Sequence, residues 1–180
     1  MSGPTEFVLA ELKKHRAQAT FFCIGDNVRK YPEVFEKVLR GGHGVGNHTF
    51  NHLKGWSTSF EKYLQNVAAC ESQINSHQSV IINQDSPPVR FFRPPYGRIT
   101  FKQIKSIKEK YQIVMWDVLT HDYSKNISRQ SCLNGSIRAA RPGSIVVFHD
   151  SLKAERNLTS VLPRFLEHFS NEGYEFKPLI

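Results

Sequence analysis

Short apolar runs alternate with amphipathic helical stretches along this chain, and that alternation leaves few architectures open. It is the mark of parallel strands joined by helical crossovers, an α/β fold. The strand candidates are residues 19–24, 44–47, 89–93, 113–118, 144–149 and 175–179. Their β-branched and aromatic content, with little polar alternation, suits strands covered on both faces. The stretches between them carry helix signals. Pro32 can open one helix, and Gly41 and Gly42 can end it. Thr58 and Glu61 have capping-box spacing ahead of an apolar face of Phe60, Tyr63, Leu64, Val67 and Ile74. Thr100 and Gln103 repeat that spacing before Ile104 and Ile107, and Asn157 is placed to cap a last helix that Gly173 ends. Each strand then ends in a loop, the position where α/β barrels carry their chemistry.

No repeat, low-complexity tract or linker divides the 180 residues, so residues 1–180 read as a single domain. With 39% hydrophobic and 22% charged residues, the chain has the composition of a globular protein. No apolar run approaches the roughly 18 residues of a membrane span. No signal peptide is visible, so the chain as given reads as cytoplasmic, with the cell envelope open to a longer form. The net charge of +8 is spread along the sequence with no nucleic-acid module beside it, and no nucleic-acid partner is expected. Cys23, Cys70 and Cys132 are odd in number and far apart, which argues for buried thiols rather than disulfides or a thiolate metal site.

Four strand-end clusters carry the polar chemistry. Asn47-His48-Thr49-Phe50-Asn51-His52 follows a glycine-rich strand end. Its two histidines, four apart, would share one face of a helical turn and could address one ion. Phe91-Phe92-Arg93-Pro94-Pro95-Tyr96-Gly97 runs from a strand into a rigid loop that fixes Arg93 and the Tyr96 backbone. Trp116-Asp117-Val118-Leu119-Thr120-His121-Asp122-Tyr123 brings two carboxylates and a histidine to another strand end, and Ile145-Val146-Val147-Phe148-His149-Asp150 ends in His-Asp. Each has a plain structural alternative: a core or surface histidine pair, a turn with an arginine, a structural strand-end histidine.

In order and spacing these clusters resemble the NodB-type polysaccharide deacetylases, carbohydrate esterase family 4. HTFNH resembles that family's metal-binding motif, RPPYG its arginine-proline-tyrosine motif, WDVLTHDY its fourth motif with Tyr123 where tryptophan is common, and IVVFHD its fifth. ATFFCIGDN and GYEFKPL resemble its second and closing strands. The resemblance implies an irregular (β/α) barrel and a metal-dependent hydrolase that removes acetyl groups from a carbohydrate polymer. His48 and His52 would hold a divalent ion, zinc by family habit, and the Tyr96 backbone N–H would steady the oxyanion. His149 would act as general acid, Asp122 would orient it, and Arg93 would hold a catalytic aspartate. Trp116 and Leu119 would receive the acetyl methyl, or simply pack. The partner would be an acetylated polysaccharide or oligosaccharide.

The resemblance departs at the start. The family's first motif ends a strand with Thr-Phe-Asp-Asp-Gly-Pro; here Gly3 and Pro4 match its end, while Met1 and Ser2 stand where the aspartates belong. This implies a barrel lacking its first strand, open beside residues 19–24, and an impaired or inactive catalyst. Asp26, Asp117 and Asp150 are the available substitutes for the missing carboxylates. The alternative is a non-catalytic glycan-binding or structural relative of the same fold. His15, His43, His77, His121 and His168 are read as solvated or structural.

Overall fold

A computed structural model describes residues 3–81 and 90–179, which form two compact units. Met1, Ser2 and the expected strand position at residue 89 lie outside the described residues.

The first unit is Thr20–Met115. It contains the strands β1 (Thr20–Cys23), β2 (Gly44–Asn47), β3 (Phe91–Phe92) and β4 (Gln112–Ile113), in the order β1-β2-β3-β4 with every pair parallel. Registers run from Thr20 opposite Gly44 to Cys23 opposite Asn47, then Asn47 opposite Phe92 and Phe92 opposite Ile113. Strand ends therefore align, and the loops after them share one rim. Gly46 is needed in β2, because a Cβ there would lie 2.6 Å from the Phe22 ring.

Helices α2 (Gly25–Lys30), α3 (Pro32–Arg40), α4 (Phe60–Ile81) and α5 (Phe101–Ile107) complete this unit, with α4 packed on α2, α3, α5 and β2. Pro32 opens α3 and Gly41 caps it, as the sequence predicts. In α4 the buried face is Tyr63, Val67, Cys70 and Ile74, a helical spacing that recruits a cysteine. Burial pushes the Cys70 thiol up to about 12. The capping box at Thr100 and Gln103 is present. The one expected at Thr58 is not: α4 starts at Phe60, and the Thr58 hydroxyl donates to the Lys54 carbonyl at 2.7 Å.

The second unit comprises the described residues of 1–19 and Trp116–Leu179. It holds α1 (Gly3–Lys14), the parallel pair β5 (Val118–Leu119) and β6 (Val146–Val147), α6 (Arg129–Ala139) and α7 (Glu155–Asn171). Its core joins Val118, Cys132, Leu133, Val161, Phe165 and Phe169. Two strand expectations change here. Residues 113–118 do not form one strand: Val114 donates to Phe92 and Asp117 to Ile145, while the carbonyls of Val114 and Met115 accept from the Arg93 side chain. Residues 175–179 form no strand; Phe176 accepts from the Gln18 N–H at 3.0 Å and places its ring against the core. Asn157 does not cap α7, which starts two residues earlier after Ala154.

Candidate active site

The histidine loop after β2 is built from backbone turns rather than a helix, so the expected helical face is replaced by a different geometry. Thr49 and His52 adopt left-handed φ values of 62° and 56°, rare for residues with a Cβ. Two such turns in four residues fold the loop back on itself, and the His48 and His52 rings lie 4.9 Å apart between centroids. Buried Asn47 anchors the start: its side-chain amide donates to the Val67 carbonyl, and its side-chain oxygen accepts from the Thr49 N–H, both at 2.9 Å. Asn66 on α4 anchors the middle, exchanging 2.9 Å hydrogen bonds with the backbone and side chain of Asn51.

The Arg93 loop supports the same cluster. His48 Nδ1 lies 2.6 Å from the Arg93 carbonyl oxygen. A carbonyl only accepts, so Nδ1 carries the hydrogen; in the neutral ring the lone pair is then on Nε2, the tautomer that suits a metal ligand. Tyr96, at φ 59°, sets its ring 4.6 Å from that of His52. The buried Arg93 guanidinium donates from Nε to Val114 at 3.1 Å and from Nη2 to Met115 at 2.9 Å, and it sits 4.0 Å over the Phe22 ring. Burial pulls it down to about 10, so it remains a cation at neutral pH. No carboxylate pairs with it among the described residues.

Two imidazoles, one of them fixed in the ligating tautomer, fit a divalent ion of the zinc type as part of its ligand set. Among the described residues no group of three or more His, Cys, Asp or Glu side chains assembles around them. The candidate substitutes are engaged elsewhere. Asp26 pairs with Arg29 at 2.7 Å and Lys30 at 2.6 Å, Asp117 accepts from the Ile145 N–H at 2.8 Å, and Asp150 accepts from Thr5 at 2.7 Å.

In the second unit, Asp122 is buried at 1% exposure and grips His149 twice. Its Oδ1 accepts from His149 Nδ1 and its Oδ2 from the His149 backbone N–H, each at 2.7 Å. This orients a half-buried imidazole with Nε2 available for proton transfer, the His–carboxylate arrangement of a general acid or base. Tyr123 meets the His149 ring edge-on at 4.9 Å. Asn157, buried on α7, donates from Nδ2 to the carbonyls of Asp122 at 3.0 Å and Ser124 at 3.1 Å. Trp116 and Leu119 line a cavity of about 450 Å³ against α6 residues such as Cys132 and Ser136.

The structure thus brings His48, His52, Arg93 and Tyr96 together in one cluster and Asp122 with His149 in another. Sequence reading places Asn47 in the cluster without its anchoring role, takes Asn157 for a cap and misses Asn66. For Asn157 a signal existed: it shares a four-residue spacing with Val161 and Phe165 on the buried face of α7, where a polar residue needs a reason. His43, His77, His168 and His15 make ordinary contacts with Phe21, Gln73, Glu172 and Ser170 respectively.

Comparison with known proteins identifies similar chains and folds. Two peptidoglycan-N-acetylglucosamine deacetylases of Bacillus cereus are similar: one is 33% identical over 175 residues, covering 96% of this chain and 78% of the relative. The other is 31% identical over 177 residues, covering 97% of this chain and 62% of the relative, so the chain spans less than two thirds of that protein. The crystal structure of the Bc1960 peptidoglycan N-acetylglucosamine deacetylase superposes with a TM-score of 0.87 at 28% identity, over 99% of this chain and 80% of that one. The polysaccharide deacetylase family model matches residues 2–115, and with the relatives it settles the lineage: this chain belongs to the polysaccharide deacetylase family.

Proposed function

We propose that this chain is a metal-dependent deacetylase that removes acetyl groups from a carbohydrate polymer, with peptidoglycan as the favoured substrate class. The observation that carries the reading is the pairing of the His48 and His52 rings, 4.9 Å apart between centroids, with His48 Nδ1 turned to the Arg93 carbonyl so that its Nε2 faces away from that anchor. The peptidoglycan assignment follows the named activity of the Bacillus cereus relatives, and such a substrate would place the reaction at the cell envelope.

His48 and His52 would hold the divalent ion, zinc by ligand chemistry. When bound it lowers the pKa of water and polarises the acetyl carbonyl. The chain's own residues do the rest. The Arg93 carbonyl keeps the His48 ring in its ligating orientation. The Pro94-Pro95 loop holds the Tyr96 backbone in a left-handed turn, placing its N–H as an oxyanion donor. His149, held at Nδ1 by Asp122, keeps Nε2 for protonating the amine as it departs, since an amide anion is a poor leaving group. The reading takes residues 1–180 as one catalytic domain.

Among the described residues no group of three or more ligating side chains assembles at these histidines, and that favours a second reading, a glycan-binding relative without turnover. The separating experiment is acetate release from N-acetylglucosamine and peptidoglycan oligomers with added zinc, with His48→Ala as the blank. Release that needs His48 and is abolished by a chelator supports the enzyme. No release on any oligomer, with zinc bound and the fold intact, overturns it in favour of the binding reading.

A further inference from the structure

Three of the most exposed large hydrophobic side chains of the first unit, Trp56, Tyr96 and Phe101, lie on two segments that the structure ties together. The Gly55 N–H donates to the Arg98 carbonyl at 3.2 Å, and the Trp56 indole N–H donates to Ile99 at 3.1 Å. The Gln103 side chain, 1% exposed, donates to the Gly55 carbonyl at 3.0 Å. Gly55 sits so close that a Cβ would lie 2.6 Å from the Arg98 oxygen. This lacing holds Trp56 in a fixed orientation while leaving it 65% exposed. Core packing gains little from an indole held out in this way, whereas a ligand with an apolar face gains a platform.

Cations frame the platform. The Lys54 ammonium lies 5.1 Å from the Tyr96 ring centre and the Arg98 guanidinium 5.0 Å from that of Trp56. Among the described residues neither has a carboxylate partner, so the surface carries uncompensated positive charge. The same Tyr96 ring touches His52. An open aromatic face takes the C–H face of a pyranose, and a guanidinium stacked over the other face takes a carboxylate through paired donors.

We propose that Trp56, with Arg98 and Lys54, forms a saccharide subsite beside the His48–His52 cluster that selects glycans carrying carboxylate groups over neutral ones. The proposal rests on the carbohydrate reading above and adds the charge of the substrate to it. The selected unit is an acetamido sugar chain with an acid substituent; a neutral chain would stack on Trp56 but leave Arg98 and Lys54 unanswered.

The test is calorimetric binding to the 180-residue chain in chelator, so that no turnover is needed. The probes are an alternating N-acetylglucosamine–N-acetylmuramic acid tetramer, the same tetramer with its carboxyls converted to amides, and an N-acetylglucosamine tetramer. At low salt the acid is expected to bind about threefold or more tighter than its amide, a preference lost as salt screens it. Trp56→Ala should weaken the acid and its amide about fivefold, and Trp56→Phe should restore most of that binding. Arg98→Gln should abolish the acid preference and spare binding of the neutral tetramer. Equal affinity for acid and amide overturns the proposal, as does full affinity in a folded Trp56→Ala. Equal competition by polyphosphate also overturns it, since that marks a general polyanion surface. Acetate release is scored separately: Trp56-dependent acid binding without turnover sinks the deacetylase reading alone, and turnover with an unchanged KM in Trp56→Ala sinks the subsite alone.

Discussion

Asn157 offers a sharp test of how the His149–Asp122 pair is held. Its Nδ2 donates to two backbone carbonyls of the 122–124 turn, at 3.0 and 3.1 Å, while its own Oδ1 is buried with no hydrogen-bond partner. Asn157→Leu removes both donors and leaves two buried acceptors unsatisfied, at about 1–2 kcal/mol each. It also removes the orphaned Oδ1, which returns about 1 kcal/mol, so the net loss is about 2 kcal/mol. Asn157→Asp keeps the shape but points acceptor oxygens at acceptor oxygens and adds a buried negative charge near Asp122. Its loss should reach about 4 kcal/mol. The predicted order is wild type above leucine above aspartate, the reverse of a ranking by similarity. Urea unfolding followed by circular dichroism measures it. An aspartate variant within about 1 kcal/mol of wild type would refute the reasoning, because the amide could not then be the donor that holds the turn. The leucine variant should also lose about 10- to 100-fold in acetate release, since the turn that carries Asp122 is no longer fixed.

Other expectations follow from the same geometry. Gln103→Met keeps the volume but loses the bonds to Thr100 and Gly55, and should cost about 2 kcal/mol in urea unfolding; a loss below about 0.5 kcal/mol would deny Gln103 its linking role. His48→Ala and His52→Ala should each weaken zinc binding by at least about tenfold in a competition titration, and equal affinity in both variants would show that the ion binds elsewhere. Burial pushes the Cys70 thiol up to about 12 and Cys132 to about 11, so a thiol reagent at pH 8 should label neither until urea unfolds the chain. Desolvation lowers the pKa of His43. The unfolded chain therefore takes up this proton first, and folding stability falls as pH drops below the ordinary histidine value of about 6.5. His43→Gln should flatten that part of the pH–stability curve, and an unchanged slope would assign it to other groups.

Much of the framework could be read from residue pattern alone. Gly44–Asn47 matches its strand residue for residue, and the Thr100–Gln103 capping box forms as its spacing implies. These features depend on neighbours in sequence, which periodicity and capping chemistry report directly. The misreadings depend on distant partners. Residues 113–118 are apolar enough for one strand, but Arg93, some twenty residues earlier, takes two of their carbonyls. The His48–His52 spacing suggests a helical turn, but hydrogen bonds from the Thr49 and Asn51 N–H groups to the side-chain oxygens of Asn47 and Asn66 select a different fold that no local propensity encodes. Asn157 looked like a cap because its role lies with a turn 33 to 35 residues away.

Thr49, His52, Tyr96 and His121 all hold positive φ without being glycine. Each would relax if replaced by glycine or asparagine, by up to about 1 kcal/mol, and the chain would fold more readily for it. Directed evolution of this chain for heat resistance alone would then drift toward those replacements and discard, at His52 and Tyr96, two rings that pack on each other. Thermal tolerance and the shape of the histidine cluster are thus set against each other at His52 and Tyr96, and a library that fixes these two residues while varying the helices should separate the two.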